Sequence, residues 1–227
     1  MFITLMQRGI IVWVFVQSCI LLLFVLHAFL AYAGERPLPL TCTYEALIWN
    51  VDQKRSVEIT TIRHPYQDLS REEVDPLTGC TVCSEDQSRI DVPPFPVFFV
   101  CSKIAPRLHA VFEELKQKNA PIFIVIGYHV IKSRGKIDHK GNRTGFSNHS
   151  FGTAIDINPE QNGLYDHCIQ FGPACRLIRG GERRIGIPGT LELHDDVVTT
   201  LKRAGFRWGG EIEGNQKDFM HFSITGY

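Results

Sequence analysis

The sequence predicts one α+β domain in which a small antiparallel sheet is flanked by helices. Two segments, 104–118 and 192–204, space their apolar residues as amphipathic helices do. Three further segments, 121–131, 153–158 and 220–224, are short and rich in β-branched or aromatic residues, or alternate in polarity, as strands do. No repeat or low-complexity tract is apparent, so we expect a single globular unit after the amino-terminal segment.

Each helix has a recognisable apolar face and a defined end. In the first helix this face comprises Ile104, Leu108, Val111, Phe112 and Leu115. Pro106 is tolerated there because it lies in the first turn. In the second helix Val197, Val198 and Leu201 are expected to face inward, and Gly205 ends the helix.

The strands place polar side chains at particular positions. In 153–158, alternation puts Ile155 and Ile157 on one face and Asp156 on the other. In 220–224, it separates His221 from the apolar Phe222. The segment 121–131 reads as a buried strand that ends at Gly127, and 56–62 is a further possible strand. The long segment 159–189, rich in Pro, Gly and Cys, is expected to be one wall of a substrate cleft.

The amino terminus predicts export. Residues 10–30 are almost wholly apolar after Arg8, and Ala31-Tyr32-Ala33 matches a signal-peptidase site. The same run is long enough to span a bilayer, so an uncleaved membrane anchor is the alternative. We therefore divide the chain into a signal peptide or anchor (1–33), an amino-terminal extension (34–95) and a catalytic domain (96–227).

Charge excludes one class of partner. The chain holds 24 Lys and Arg and 24 Asp and Glu, and only Arg8 of these lies in the signal, which leaves a formal charge of −1. A nucleic-acid-binding protein carries a strong positive excess, so no nucleic acid is expected. Contact with a membrane is expected only if the amino-terminal segment is not cleaved.

The cysteines favour an oxidising compartment. Six lie outside the signal, an even number as disulfides require: Cys42, Cys80, Cys83, Cys101, Cys168 and Cys175. Cys168 and Cys175 form the most plausible local bridge. The pair Cys80-x-x-Cys83 could instead complete a structural zinc site with Cys42 and Cys101, or act as a redox pair. Disulfides are favoured over both because the signal directs the chain out of the cytosol.

Two segments carry a candidate zinc site, 147–156 and 218–221. His149, Asp156 and His221 supply two imidazoles and a carboxylate, a set that suits Zn²⁺ better than Ca²⁺ or Mg²⁺. Hydrolytic zinc sites use three protein ligands and leave the fourth position to water. Gly152 would let the chain turn so that His149 reaches the same ion. Asp218 lies close in sequence and is assigned as the general base.

These residues resemble the signature of a known family. The pattern Ser-x-His-x-x-Gly-x-Ala-x-Asp is met from Ser147 to Asp156, and Asp218, His221 and Phe222 meet the second part. The chain thus resembles the M15 zinc peptidases, which include D-Ala-D-Ala carboxypeptidases and L-alanyl-D-glutamate endopeptidases. The resemblance extends over about residues 95–227. It implies a Hedgehog-like fold and cleavage of the peptidoglycan stem peptide.

The resemblance also implies substrate contacts. Ser147 corresponds to a serine that binds the substrate carboxylate in family members. The partner arginine lies a few residues before this serine in some members, which indicates Arg143. In others it follows a Gly-Tyr pair, where this chain has His129. A guanidinium binds a carboxylate through two hydrogen bonds, which favours Arg143 over an imidazole. Trp208 either lines the substrate cleft, as its place in the family motif suggests, or fills the core, and the cleft is favoured.

Several alternatives stay open from the sequence. A non-catalytic zinc- or peptidoglycan-binding module would keep the same fold, although it would not need Asp218. An exported structural protein would carry the three ligand residues by coincidence. Carboxypeptidase and endopeptidase activity cannot be separated. Asn148-His149-Ser150 fits the N-glycosylation pattern, and a glycan there would stand beside the metal, so we expect a bacterial periplasm or exterior.

Overall fold

The computed structural model describes residues 37–226, and in that range it confirms a mixed α+β chain of thirteen strands and two α-helices. The predicted signal or anchor, residues 1–33, lies outside this range. Across 37–226 no helix combines the length and apolar character needed to cross a bilayer. The elements are β1 (Thr41–Asn50), β2 (Arg55–Pro65), β3 (Gln87–Ile90), β4 (Phe98–Cys101), α1 (Ala105–Gln117), β5 (Val125–Ile126), β6 (Val130–Ile137), β7 (Arg143–Phe146), β8 (Ala154–Ile157), β9 (Leu164–Asp166), β10 (Arg176–Arg179), α2 (Asp196–Arg203), β11 (Arg207–Trp208), β12 (Lys217–Asp218) and β13 (His221–Ser223).

The described strands form four sheets where the sequence predicted one. Two have four strands, in the orders β2-β1-β6-β7 and β11-β13-β8-β5. The second of these is fully antiparallel and contains both strand segments that carry candidate ligands. The other two sheets are β10-β9-β12 and the pair β3-β4.

The amino-terminal extension shares a sheet with the domain that follows it. β1 pairs antiparallel with β2 and parallel with β6, which lies beyond residue 96. Disulfides join Cys42 to Cys83 and Cys80 to Cys101. Both cysteines of the Cys80-x-x-Cys83 motif therefore bind partners outside it, which removes the structural-zinc and redox alternatives. The predicted Cys168–Cys175 bridge is present.

Both helices pack against the antiparallel sheet that carries the ligands. The core contains fully buried side chains from α1, α2 and this sheet, namely Leu108, Phe112, Leu115, Val198, Leu201, Ile155, Ile157 and Phe222. α2 begins at Asp196, later than predicted, because the Asp195 carboxylate caps it by accepting a hydrogen bond from the backbone N–H of Val198.

The predicted strand 121–131 is mostly irregular. Only Val125–Ile126 and the beginning of β6 are extended strand. The Asn158 side-chain oxygen accepts hydrogen bonds from the backbone N–H groups of Phe123 and Ile124, at 2.7 and 3.1 Å. A side chain thus satisfies backbone groups that a strand ladder would otherwise satisfy.

Candidate metal centre

The pairing of two neighbouring strands brings two candidate ligands together. Asp156 in β8 lies directly opposite His221 in β13. Side chains of directly opposite residues share a face, with Cβ atoms about 4.5–5.5 Å apart. The alternation of β8, which buries Ile155 and Ile157 in the core, directs Asp156 to the opposite face.

A tight turn brings the third candidate ligand to the same point. His149 lies in a short 3-10 turn, Asn148–Phe151, which precedes β8. Gly152 ends the turn with a left-handed φ of 63°. The turn packs against β4, where the Gly152 carbonyl accepts a hydrogen bond from Cys101 N at 3.0 Å. The chain therefore turns where the sequence predicts.

The donor atoms of the three side chains are mutually close. His149 Nε2 lies 3.1 Å from Asp156 Oδ1 and 3.2 Å from His221 Nδ1. His221 Nδ1 lies 3.0 Å from Asp156 Oδ1. With metal–ligand distances of about 2.0–2.2 Å, two ligands of a tetrahedral zinc site are separated by roughly 3.3 Å. The residues present therefore fit a zinc ion, and all three are 5–6% exposed.

A backbone carbonyl orients the first imidazole. Gly127 O accepts a hydrogen bond from His149 Nδ1 at 3.0 Å, so that Nε2 presents its lone pair toward the other ligands. The same carbonyl accepts a hydrogen bond from Nδ1 of His129, also at 3.0 Å. The His129 and His149 rings lie 4.6 Å apart and are tilted by 33°. His129 is thus a third histidine beside the candidate centre.

Burial and mutual charge determine the protonation of the cluster. Burial alone would lower the pKa of His149, but the charge of Asp156 and the hydrogen bonds to Asp156 and Gly127 together outweigh it and raise that pKa. Burial would raise the pKa of Asp156, yet the two imidazoles lower it below its usual range. Burial lowers the pKa of His221. Two of the three side chains, Asp156 and His221, are therefore favoured in the deprotonated form that a metal requires.

Asp218 reaches the centre from a different sheet. It lies in β12, which pairs with β9, and its carboxyl charge acts on the pKa of His149. Burial and then the charge of Asp156 raise the pKa of Asp218 to about 7. Among the described residues, its Oδ1 is buried and has no hydrogen-bond partner. A buried carboxyl group that is readily protonated suits proton transfer.

The proposed substrate residues occupy different positions. Ser147 is buried, and its hydroxyl lies 3.1 Å from the hydroxyl of Ser150, beside the ligand turn. Arg143 is at the far end of β7, about 13 Å along the strand from Ser147, and its Nη1 donates to Gly135 O at 2.7 Å. The structure does not bring these two together, and the role of Arg143 stays a prediction.

Trp208 fits the core alternative. Its side chain is 4% exposed and packs against the rings of Phe219 and Phe222. The indole N–H donates to Phe219 O at 2.8 Å. These contacts pack the Trp208 side chain in the core next to β13. We therefore assign it a packing role and not a direct substrate contact.

Two cations near the centre could not be identified from the sequence. Arg179 and Arg134 are among the charges that lower the pKa of Asp218. Arg179 lies in β10, inside the segment predicted as one wall of a cleft, and Arg134 lies in β6. No local pattern distinguishes them from other arginines, because their position depends on the pairing of distant strands.

A second cluster of residues that could bind a metal has a structural role instead. Cys42, His64 and Glu73 also lie close together, but Cys42 is bonded to Cys83. The thiolate required for metal binding is therefore not available. Glu73 instead accepts hydrogen bonds from protein groups, and this cluster is structural.

One comparison with known proteins matches the part of the chain that contains the candidate metal centre. A family model described as D-alanyl-D-alanine carboxypeptidase, from the M15 peptidases, matches residues 140–224. This range includes all three candidate ligands and Asp218. The search of curated proteins and the search of solved structures found no match. The M15 peptidases are zinc metallopeptidases, and the match over residues 140–224 supports the resemblance inferred from the motifs.

Proposed function

We propose that the protein is an exported zinc metallopeptidase that hydrolyses a peptide bond in the stem peptides of bacterial cell wall. The observation that carries this proposal is the convergence of His149, Asp156 and His221, with donor atoms 3.0–3.2 Å apart, beside the buried carboxyl of Asp218. The family match supports the same class of reaction. We further propose a Hedgehog-like arrangement for this domain.

The three ligands would hold Zn²⁺ through His149 Nε2, Asp156 Oδ1 and His221 Nδ1. When bound, the ion supplies Lewis-acid activation of the scissile carbonyl and of water. The Gly127 carbonyl keeps the His149 ring in the required tautomer. Asp218 acts as the general base and then passes the proton to the leaving amine. We retain Ser147 and Arg143 as separate proposed contacts to a substrate carboxylate, since the structure places them apart.

Export is supported by the three disulfides, which persist in oxidising compartments. We propose a periplasmic or extracellular location, with an amino-terminal membrane anchor if the signal is not cleaved. The Asn148 side-chain N–H₂ donates to Ser223 Oγ at 2.7 Å. A glycan on this nitrogen would disrupt that contact, which favours a compartment without N-glycosylation.

Substitution of the proposed base tests the reaction. Asp218→Asn should reduce the turnover of stem peptides by at least about 100-fold, because general-base catalysis contributes about 10²–10⁴-fold. Zinc content, measured by elemental analysis, should remain at one ion per chain. Asp91→Asn is the matched control, since Asp91 is a partly exposed carboxylate paired with Arg89.

Two results would contradict the proposal. Purified protein without stoichiometric zinc would remove the enzyme assignment altogether. Zinc binding without turnover in the unsubstituted protein would indicate the non-catalytic binding module instead. If the enzyme is active, mass analysis of products from muropeptides of different stem length will separate carboxypeptidase from endopeptidase cleavage.

A further inference from the structure

Residues 130–146, which comprise β6, β7 and the turn between them, carry a positive charge that the neutral balance of the whole chain conceals. The chain holds 24 Lys and Arg and 24 Asp and Glu. Within 130–146, which we call the basic hairpin, there is one acidic residue, Asp138, and a formal excess of four positive charges. The cations of the basic hairpin are Lys132, Arg134, Lys136, Lys140 and Arg143.

Ion pairs neutralise many cations elsewhere in the protein but not most of those in the basic hairpin. Lys202 Nζ, for example, lies 2.6 Å from Glu211 Oε1. Four cations of the basic hairpin form no ion pair with any carboxylate in 37–226, namely Lys132, Lys136, Lys140 and Arg143. Lys132 Nζ lies instead 4.9 Å from the centre of the Phe146 ring, which carries no net charge. The positive charge of the hairpin is therefore available to a partner.

The acidic residues beside the turn of the basic hairpin do not cancel this charge. The Asp138 carboxylate accepts hydrogen bonds from the backbone N–H groups of Lys140 and Asn142, both at 2.8 Å. It thus closes the turn. Asp52, from the connection between β1 and β2, lies against Gly141. Counting Asp52 with the hairpin still leaves an excess of three positive charges.

The basic hairpin is fixed at both ends, and one end lies at the candidate metal centre. Ile131 O accepts a hydrogen bond from Ser147 N, and Ile131 N donates to Ser150 Oγ, both at 3.0 Å. These contacts attach the start of β6 to the turn that carries a histidine ligand. At the far end, Asn50 Nδ2 donates to Lys140 O at 2.7 Å. β6 has eight residues, so the cations extend over about 26 Å from the centre.

The composition of the basic hairpin favours phosphate groups on a linear chain. Three of its five cations are lysines, whose compact charge binds phosphate well, whereas a carboxylate is better matched by the forked guanidinium. Within 130–146 a single large apolar side chain is exposed, that of Ile137, while binding to a membrane surface requires apolar side chains beside the cations. The same residues expose no aromatic ring on which a nucleic-acid base could stack.

From this arrangement we propose that the basic hairpin binds a linear polyanion with repeated phosphate groups and no bases. The hairpin is long enough to contact several phosphates of one chain at once, and its fixed ends reduce the entropy lost on binding. The binding site goes beyond the proposed peptidase function. Only its purpose, which is to retain the enzyme on an anionic polymer next to the peptide that it cleaves, rests on that function.

A fluorescently labelled glycerol phosphate oligomer tests the proposal, with the full chain and fluorescence anisotropy as the readout. Lys136→Ala/Lys140→Ala should weaken binding at low salt by about 10-fold or more, because each cation beside an anionic surface contributes about 5-fold. The slope of log affinity against log salt should become shallower by about 1.4, since each neutralised phosphate of a single chain contributes about 0.7.

Lys116→Ala/Lys202→Ala is the matched control. It removes the same charge from two helical positions that pair with acids, and it should change neither the affinity nor the slope. Equal affinity of Lys136→Ala/Lys140→Ala and the unsubstituted protein for the oligomer would overturn the proposal. A larger effect of this substitution on anionic phospholipid vesicles, or on single-stranded DNA, than on the oligomer would also overturn it and assign the surface to that partner.

Cleavage measurements separate this inference from the peptidase assignment. Lys136→Ala/Lys140→Ala should leave the turnover of a soluble stem peptide unchanged, because both side chains lie outside the candidate metal centre. Binding of the oligomer should also persist after zinc is removed by a chelator. If the unsubstituted protein binds the oligomer through these lysines but cleaves no peptide, the peptidase assignment fails and the polyanion site stands.

Discussion

Position 152 requires glycine, because the backbone of β4 occupies the space where a Cβ would lie. A Cβ at this position would collide with Cys101 N and lie 3.0 Å from the carbonyl carbon of Val100. The residue also has φ of 63°, which favours glycine. The turn that carries His149 therefore depends on a residue three positions away from the ligand.

Gly152→Ala should lower the free energy of unfolding by on the order of 2 kcal/mol or more, since it combines backbone strain with overpacking. Chemical denaturation monitored by circular dichroism will measure the change. Gly172→Ala is the control, because a Cβ there has no atom within 4 Å. Equal stability of the two variants would show that the turn can relax, against our expectation.

Glu73 makes stability depend on pH. Its carboxylate accepts hydrogen bonds from Ser70 N and Oγ and from Tyr44 Oη at 2.7–2.8 Å, and it contacts His64 Nε2 at 2.9 Å. Burial would raise the pKa of Glu73, but these contacts lower it to about 2. The stabilisation is therefore complete above the ordinary pKa of 4.5 and is lost as the pH falls toward 2.

Glu73→Gln should therefore lower the free energy of unfolding by up to about 3 kcal/mol near pH 5–6. The difference from the unsubstituted protein should shrink toward pH 2. The pKa of His64 is raised, first by the hydrogen bond to Pro65 O and then by Glu73. The contribution of His64 to the free energy of unfolding is therefore lost as the pH rises above 6.5. Urea unfolding between pH 2 and 8 measures both trends. The exposed Glu72→Gln is the control, and a pH-independent difference would contradict the assignment.

The candidate ligands could be predicted from the sequence because their residue types and spacing are local. His149 and Asp156 lie within one motif, and alternation in β8 indicates the face of Asp156. The hydrogen bond from His149 to Gly127 O and the contact between Tyr44 and Glu73 could not be predicted. They join residues 22 and 29 positions apart, and no periodicity marks a carbonyl as the partner of a histidine.

At the scale of elements, one side chain connects the two segments that carry histidine ligands. Asn148 precedes His149, and its Nδ2 donates to Ser223 Oγ in β13 at 2.7 Å and also to Gly226 O. The Asn148 carbonyl accepts hydrogen bonds from the backbone N–H and the hydroxyl of Thr153, at 3.1 and 3.0 Å. The ligand turn is therefore fixed to both β8 and β13.

Asn148→Ala should weaken zinc binding by about 10-fold or more, because groups that orient metal ligands typically contribute 10- to 100-fold in affinity. The zinc Kd can be measured by competition with a chromophoric chelator. Asn215→Ala serves as the control, since residue 215 is exposed. If Asn148→Ala lowers thermal stability but leaves the zinc Kd unchanged, the residue supports the fold without positioning the ligands.

The two helices could be predicted because apolar residues at helical spacing also form the core. The hairpin of β9 and β10 could not, since all four residues of β10 are exposed and alternation of polarity is absent. Only the pairing of β9 with both β10 and β12 explains the position of this hairpin, and the pairing with β12 joins residues more than 50 positions apart. The sequence predicts this segment as a wall of the cleft but does not reveal its strands.

For the whole molecule, the main difference from the expected organisation concerns the extension. Residues from Pro39 onward form one compact unit, so that the extension and the domain containing the site are not separate bodies. β1 supplies the parallel partner of β6 at Ala46, Leu47 and Ile48. Composition alone could not predict this, because parallel pairing joins strands about 80 residues apart and leaves no local signal.

A chain that begins at residue 96 should consequently fail to fold cooperatively, although it retains every residue matched by the family model. It lacks β1, and Cys101 loses its bond to Cys80, which closes a separation of 21 residues. In the chain-entropy model, a disulfide that closes a loop of this length stabilises the fold by roughly 3 kcal/mol, a large part of the stability of an ordinary domain.

A chain that begins at residue 37 is the control and should unfold in one transition and bind zinc. Thermal denaturation and zinc titration of both chains provide the measurement. A cooperative transition with unchanged zinc affinity in the shorter chain would show that the extension is an appendage and that β6 needs no partner on that side.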